Sequence, residues 1–237
     1  MHPRHGDHCG VCGDRLPQGI AWEDARYGPL AWRYLLTLRD VFVRPRIAFP
    51  GPTQIGPALL FAALGGVGLT LTTDAVWLVL PLRFGLMSGW YGGHVWAVAA
   101  LIAFALASTT TLAFGLASSF GLGLLVVGRR RGLMRIGVRA SAYSVGMLGV
   151  LLTAGVMASF TAVMVGMPRD AVQVAWIAVA AVWPPLMGRI FVAAAQGLGL
   201  GTGRAIIAAL GPTVLVTIPA ALLIHMQLGL MSRYQLS

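Results

Sequence analysis

Residues 55–80 read IGPALLFAALGGVGLTLTTDAVWLVL, a run that is apolar apart from threonine hydroxyls and Asp74. Crossing the hydrocarbon core of a bilayer takes about 20 consecutive apolar residues. A helix made of this run has no polar face to offer water, so its natural solvent is lipid. Four further segments have the same character: about 95–127, 138–165, 172–195 and 205–228. The second is over-long for one crossing yet too short for two with a turn between them, so it is expected to tilt or project beyond the bilayer. The fold class predicted is all-α: an integral membrane helical bundle of about five transmembrane helices.

Composition agrees. Hydrophobic residues make up 57% of the chain and charged residues 10%, where a soluble domain carries roughly 25% charged. The net charge of +10 is carried by Arg alone, because the chain has no Lys. These Arg residues stand between the apolar runs rather than on one soluble face, which argues against a nucleic-acid partner. Fourteen fall before the first span, at the second–third junction or near the fourth–fifth junction; only Arg83, Arg169 and Arg233 fall on the other side. Basic flanks mark the cytoplasmic side, so the N-terminus is expected in the cytoplasm and the C-terminus outside. Trp90, Tyr91, Trp96 and Tyr234 fall near the outer boundary. Met1–Leu30 contains no signal-peptide-like apolar stretch, so the first span is expected to drive insertion. Anionic lipid headgroups are the partner that the basic flanks imply.

Ahead of the spans, residues 1–19 form a polar stretch holding both cysteines. Cys9-Gly-Val-Cys12 has the spacing of one zinc-ribbon knuckle, and a tetrahedral site needs four N or S ligands. His5 and His8 stand close enough to complete it, with His2 just upstream, although the usual second Cys pair is missing. A zinc held there would be structural; reduced, metal-free thiols are the other reading, and redox chemistry a remote one. Residues 20–49 read as a basic amphipathic interfacial helix. Ala31, Tyr34, Leu35, Leu38 and Phe42 recur at helical spacing, while Arg33, Thr37, Asp40 and Arg44 follow another face. Pro45 ends the helix and Pro50-Gly51-Pro52 turns the chain into the bilayer.

Within the spans few residues suggest chemistry. Asp74 is the only acidic side chain there, and intramembrane ionisable groups are functional candidates by default. Arg189 lies in the inner half of the fourth span and can snorkel to the surface. With the Pro184-Pro185 pair, expected to kink or break that span, these residues allow a small-solute or lipid transporter. Gly65, Gly66, Gly68, Gly115, Gly146 and Gly149 suit close helix packing or self-association into a homo-oligomer. Ser108–Thr111 are expected to bond back to their own helix, and the glycine run Gly197–Gly203 to make a turn rather than a nucleotide loop, having neither a preceding strand nor a Lys. No His-Glu-x-x-His, Gly-x-Ser-x-Gly or paired intramembrane carboxylates occur, and His94 and His225 have no evident acid partner. The chain is not expected to be an enzyme.

Ala21-Trp22-Glu23-Asp24 before a basic helix, then Thr37, Pro45, Ala48 and Phe49, then Arg139-Ala-Ser-Ala-Tyr143-Ser144, Ala175-Trp176, Arg204-Ala205 and Pro212, follow one another in an order that resembles bacterial members of the Yip family. These membrane proteins are named in eukaryotes for interacting with Ypt/Rab GTPases. Some bacterial relatives carry a Cys-x-x-Cys knuckle before a Trp-Glu pair, as Cys9, Cys12 and Trp22-Glu23 stand here. The resemblance implies five spans and a cytoplasmic head that docks partners. Tyr27-Gly28-Pro29-Leu30 is similar to a pre-membrane motif of those relatives, with Ala25 and Arg26 replacing the acidic and apolar residues expected before the Tyr. The function this implies is a non-enzymatic membrane adaptor or organiser in a bacterial inner membrane, with Trp22, Glu23 and Tyr27 as docking residues.

Overall fold

Lipid offers no hydrogen bonds to the backbone, so an apolar run that crosses it must satisfy every N–H and C=O within its own helix. In the computed structural model of the chain those runs are helices. Residues 21–23, 28–43, 55–83, 91–129, 133–167 and 169–234 are described, and at 23, 73–83, 91–98, 101, 133–134, 169, 227 and 229–234 the backbone alone. A 3-10 turn at Ala21–Glu23 precedes α1 (Leu30–Val43), α2 (Ile55–Arg83), α3 (Tyr91–Val126), α4 (Leu133–Met164), α5 (Arg169–Gly197) and α6 (Thr202–Tyr234).

Five helices, α2 to α6, are long and apolar enough to cross a membrane, with candidate spans at Ile55–Thr72, Ile102–Val126, Arg135–Met164, Asp170–Gly197 and Thr202–Met226. These make the chain a multi-pass membrane protein set in a lipid bilayer. The expected spans correspond one to one. The over-long second segment is α3, whose 36 residues reach about 54 Å at 1.5 Å per residue.

The spans close into a ring. α2 packs on α3, α3 on α6, α6 on α5, α5 on α4, and α4 back on α2; α4 also reaches across to α3. That central position shows in its burial: Ile136 to Met147 is buried without interruption. The outer face of α6 is the opposite case, leaving Ile206, Leu210, Val214, Ile218 and Leu222 uncovered, as lipid-facing residues should be.

Close approach depends on missing side chains. A Cβ built on Gly65 would stand 2.7 Å from the Gly146 carbonyl oxygen, and one on Gly149 would stand 2.6 Å from that of Gly65. The backbones of α2 and α4 therefore touch, the contact that small residues permit between membrane helices. Gly68 and Gly115 were expected in the same role but face open space.

Three helices end alike. Gly128, Gly166 and Gly199 have φ of 83°, 73° and 83°. Behind each, an N–H reaches back to an orphan carbonyl: Arg129 to Leu124 at 2.9 Å, Met167 to Ala162 at 2.8 Å and Leu200 to Ala195 at 3.4 Å. This is the left-handed glycine cap, and the last of the three turns the glycine run between α5 and α6 as expected. Thr109 and Thr110 donate to the Leu106 carbonyl at 3.0 and 2.7 Å, also as expected.

The proline pair does not break its span. α5 continues as helix through Pro184 and Pro185. Each proline removes one N–H, and a membrane helix packed on its neighbours tolerates the loss. α6 carries Pro212 and Pro219 in the same way.

Candidate functional site

The C-terminal ends of α3 and α5 and the N-terminal ends of α4 and α6 bring Arg129, Arg135, Arg139, Arg189 and Arg204 to one end of the bundle. The 3-10 turn and α1 are fastened to this arginine-rich end, and Trp22 is the fastening. It is only 4% exposed. Its backbone N–H donates to Thr37 Oγ1 at 2.8 Å, and its indole Nε1–H donates to the Pro57 carbonyl at 2.7 Å in the first turn of α2. Arg33 Nη1 donates to the Trp22 carbonyl at 3.5 Å.

Around this anchor the rings form a chain through four elements. Trp22 meets Tyr34 and Phe61 edge-on, with centroids 5.8 and 5.9 Å away. Tyr34 and Phe61 lie 4.9 Å apart, and Phe61 and Tyr143 5.1 Å. Such spacings are favourable beyond the area they bury. Burial pushes the Tyr34 phenol above its usual value. Tyr143 and Arg139, one helical turn apart in α4, are both fully buried.

α1 meets the bundle on a face that shares Tyr34 and Leu38 with the apolar stripe read from the sequence and adds Thr37 and Val41. Tyr34, Thr37, Leu38 and Val41 turn toward the bundle, with Thr37 and Val41 fully buried, while Ala31, Leu35 and Phe42 stay exposed. The reason is chemical: the face that covers Trp22 must supply an acceptor for its N–H, and Thr37 does. The signal was present in the sequence, since positions 34, 37, 38 and 41 also have helical spacing. The outer face then presents Trp32, Leu35, Phe42 and Val43, with Arg39 among them in an ion pair with Asp40 at 2.8 Å.

Arg189 holds the other end of α1. Its Nη2 donates to the Val43 carbonyl at 3.4 Å, placing a cation at the negative end of the helix dipole. Its side chain is exposed. Cys9, Cys12, His5, His8 and Tyr27 lie outside the described residues, as do the side chains of Glu23 and Asp74. Among the described residues, no group of His, Cys, Asp or Glu stands close enough to hold a metal. Comparison of the chain with family models, with curated proteins and with solved structures gives no match.

Proposed function

We propose that the protein is a non-enzymatic membrane adaptor or organiser that docks protein partners, or further copies of itself, at the cytoplasmic membrane face. One observation carries this reading: the Trp22 anchor holds α1 in a fixed pose with Trp32 and Leu35 more than half exposed on its outer face. Apolar and aromatic side chains presented on a rigid helix, rimmed by Arg, have the composition of an interface core. Trp22 serves as the residue that sets the pose rather than the surface a partner touches. Glu23 and Tyr27 flank it in sequence and belong to the same docking region. The resemblance to the Yip family supports the same role through its residue pattern, and the arginine distribution supports the cytoplasmic side. Cys9 and Cys12, with His5 and His8, would hold a structural zinc that stiffens the head.

The test is photo-crosslinking in native membranes from a reactive residue at Leu35, with a second at Leu210 on the lipid-facing side of α6 as control. A dominant protein adduct at Leu35, absent from Leu210 and lost in Trp22→Ala, supports docking. Lipid adducts alone from both positions would make α1 an interfacial anchor and end the adaptor reading.

A further inference from the structure

Beside the meeting of α2 and α3 lies a hollow of about 340 Å³, walled by α2, α3 and α4. Its origin is a packing conflict. Gly65 and Gly149 draw α2 and α4 into backbone contact, while α3 meets α2 where Thr109 Cγ2 lies 2.7 Å from the place a Cβ on Gly66 would take. Between these two contacts the walls carry Ala105, Ser108 and Gly149, too small to fill the space left over.

The walls decide what can fill it. Thr70 donates to the Gly66 carbonyl and Thr109 to the Leu106 carbonyl, both at 3.0 Å, so these hydroxyls are turned onto their own helices. None of the buried unpaired polar atoms of the described residues belongs to the lining. An enclosed water needs two to four polar partners, and this lining does not supply them. An empty hollow forfeits the dispersion contacts of every wall atom. The whole lining falls within the candidate spans of α2, α3 and α4, at hydrocarbon depth. At its rim Phe104 is 71% exposed, so the hollow is continuous with the surface the bundle turns to lipid. The material present there in bulk is hydrocarbon chain.

We propose that this slot binds one acyl chain of a membrane lipid, seated between α2, α3 and α4 as part of the packing of the bundle. The site is separate from the α1 docking face and does not depend on it. Binding here gains little from leaving water, since the chain comes from lipid; it rests on close van der Waals fit, as helix association in membranes does. Selection should therefore follow chain shape more than headgroup.

The experiment uses the full chain reconstituted in phosphatidylethanolamine–phosphatidylglycerol vesicles doped with a phospholipid carrying a diazirine at mid-chain, with adducts mapped by peptide mass spectrometry. The expected result is labelling at Phe104, Leu148 and Leu152 well above that at Leu210 and Val214 on the outer face of α6. Ala105→Phe, and separately Ser108→Leu, should fill the slot and lower its labelling several-fold while α6 labelling holds. If either variant fails to give a helical, monodisperse protein, the ratio in the unaltered chain decides alone. Equal labelling of slot and α6 would overturn the proposal. So would slot labelling unchanged by the filling variants, or slot positions that crosslink to a second copy in place of lipid.

Discussion

At the scale of single residues, Trp22 does two separable things: it fills space and it donates two hydrogen bonds. Trp22→Phe keeps a ring against Tyr34 and Phe61 but removes the Nε1–H that meets Pro57. The expected loss is about 1 kcal/mol, the net worth of one buried hydrogen bond. Trp22→Ala removes the ring as well and should cost about 3–5 kcal/mol. Denaturant titration in detergent, followed by circular dichroism, would rank the two. Equal losses would mean that the hydrogen bond, and not the packing, holds the turn. Tyr34 gives a second prediction. Burial raises its folded pKa above that of the unfolded chain, so the protonated phenol is the form that folding favours. Its contribution is complete below the ordinary tyrosine value of about 10 and is lost as pH rises through the higher folded value. Tyr34→Phe should flatten that alkaline loss in a stability–pH series, and an unchanged slope would reject it.

At the scale of elements, the spans and the N-terminal helix were legible to different degrees. Ile55–Leu80 could be read as a span because its composition leaves it one solvent. α1 was legible as a helix, but not by face, because it carries two apolar stripes. Thr37 marks which stripe is buried, through a bond to a residue 15 positions away. The contact from Trp22 to Pro57 spans 35 positions, and nothing local announces it. Glycine roles were readable as a class and unreadable singly: Gly65 and Gly149 are closed in, Gly68 and Gly115 are open. Gly149→Leu should therefore push α4 off α2 and destabilise the bundle, and Gly115→Leu should be tolerated; thermal unfolding in detergent compares them. At the end of α1, Arg189→Ala leaves the Val43 carbonyl without its cation. Faster amide exchange confined to the last turn of α1 is the expected readout, and exchange unchanged there would show that the contact holds nothing.

For the whole molecule, the ring of five helices has one end rich in arginine and tied to α1. The order of the ring was not legible, because every span is apolar on all sides and periodicity cannot name neighbours; backbone contact at glycine marks only some of them, α2 with α4 above all. The arginine distribution leads us to expect which side each turn lies on, and that side is the most direct check of the account. Cys9 and Cys12 are replaced by Ser, and single cysteines are placed at Arg135, Met167 and Thr202, all exposed at ends of the bundle helices. Each variant is then treated with a membrane-impermeant thiol reagent in right-side-out and inside-out vesicles. The account predicts that Arg135→Cys and Thr202→Cys react only from the cytoplasmic side and Met167→Cys only from the opposite side. Arg135→Cys and Met167→Cys reacting from the same side would contradict it, since α4 would then not cross the membrane.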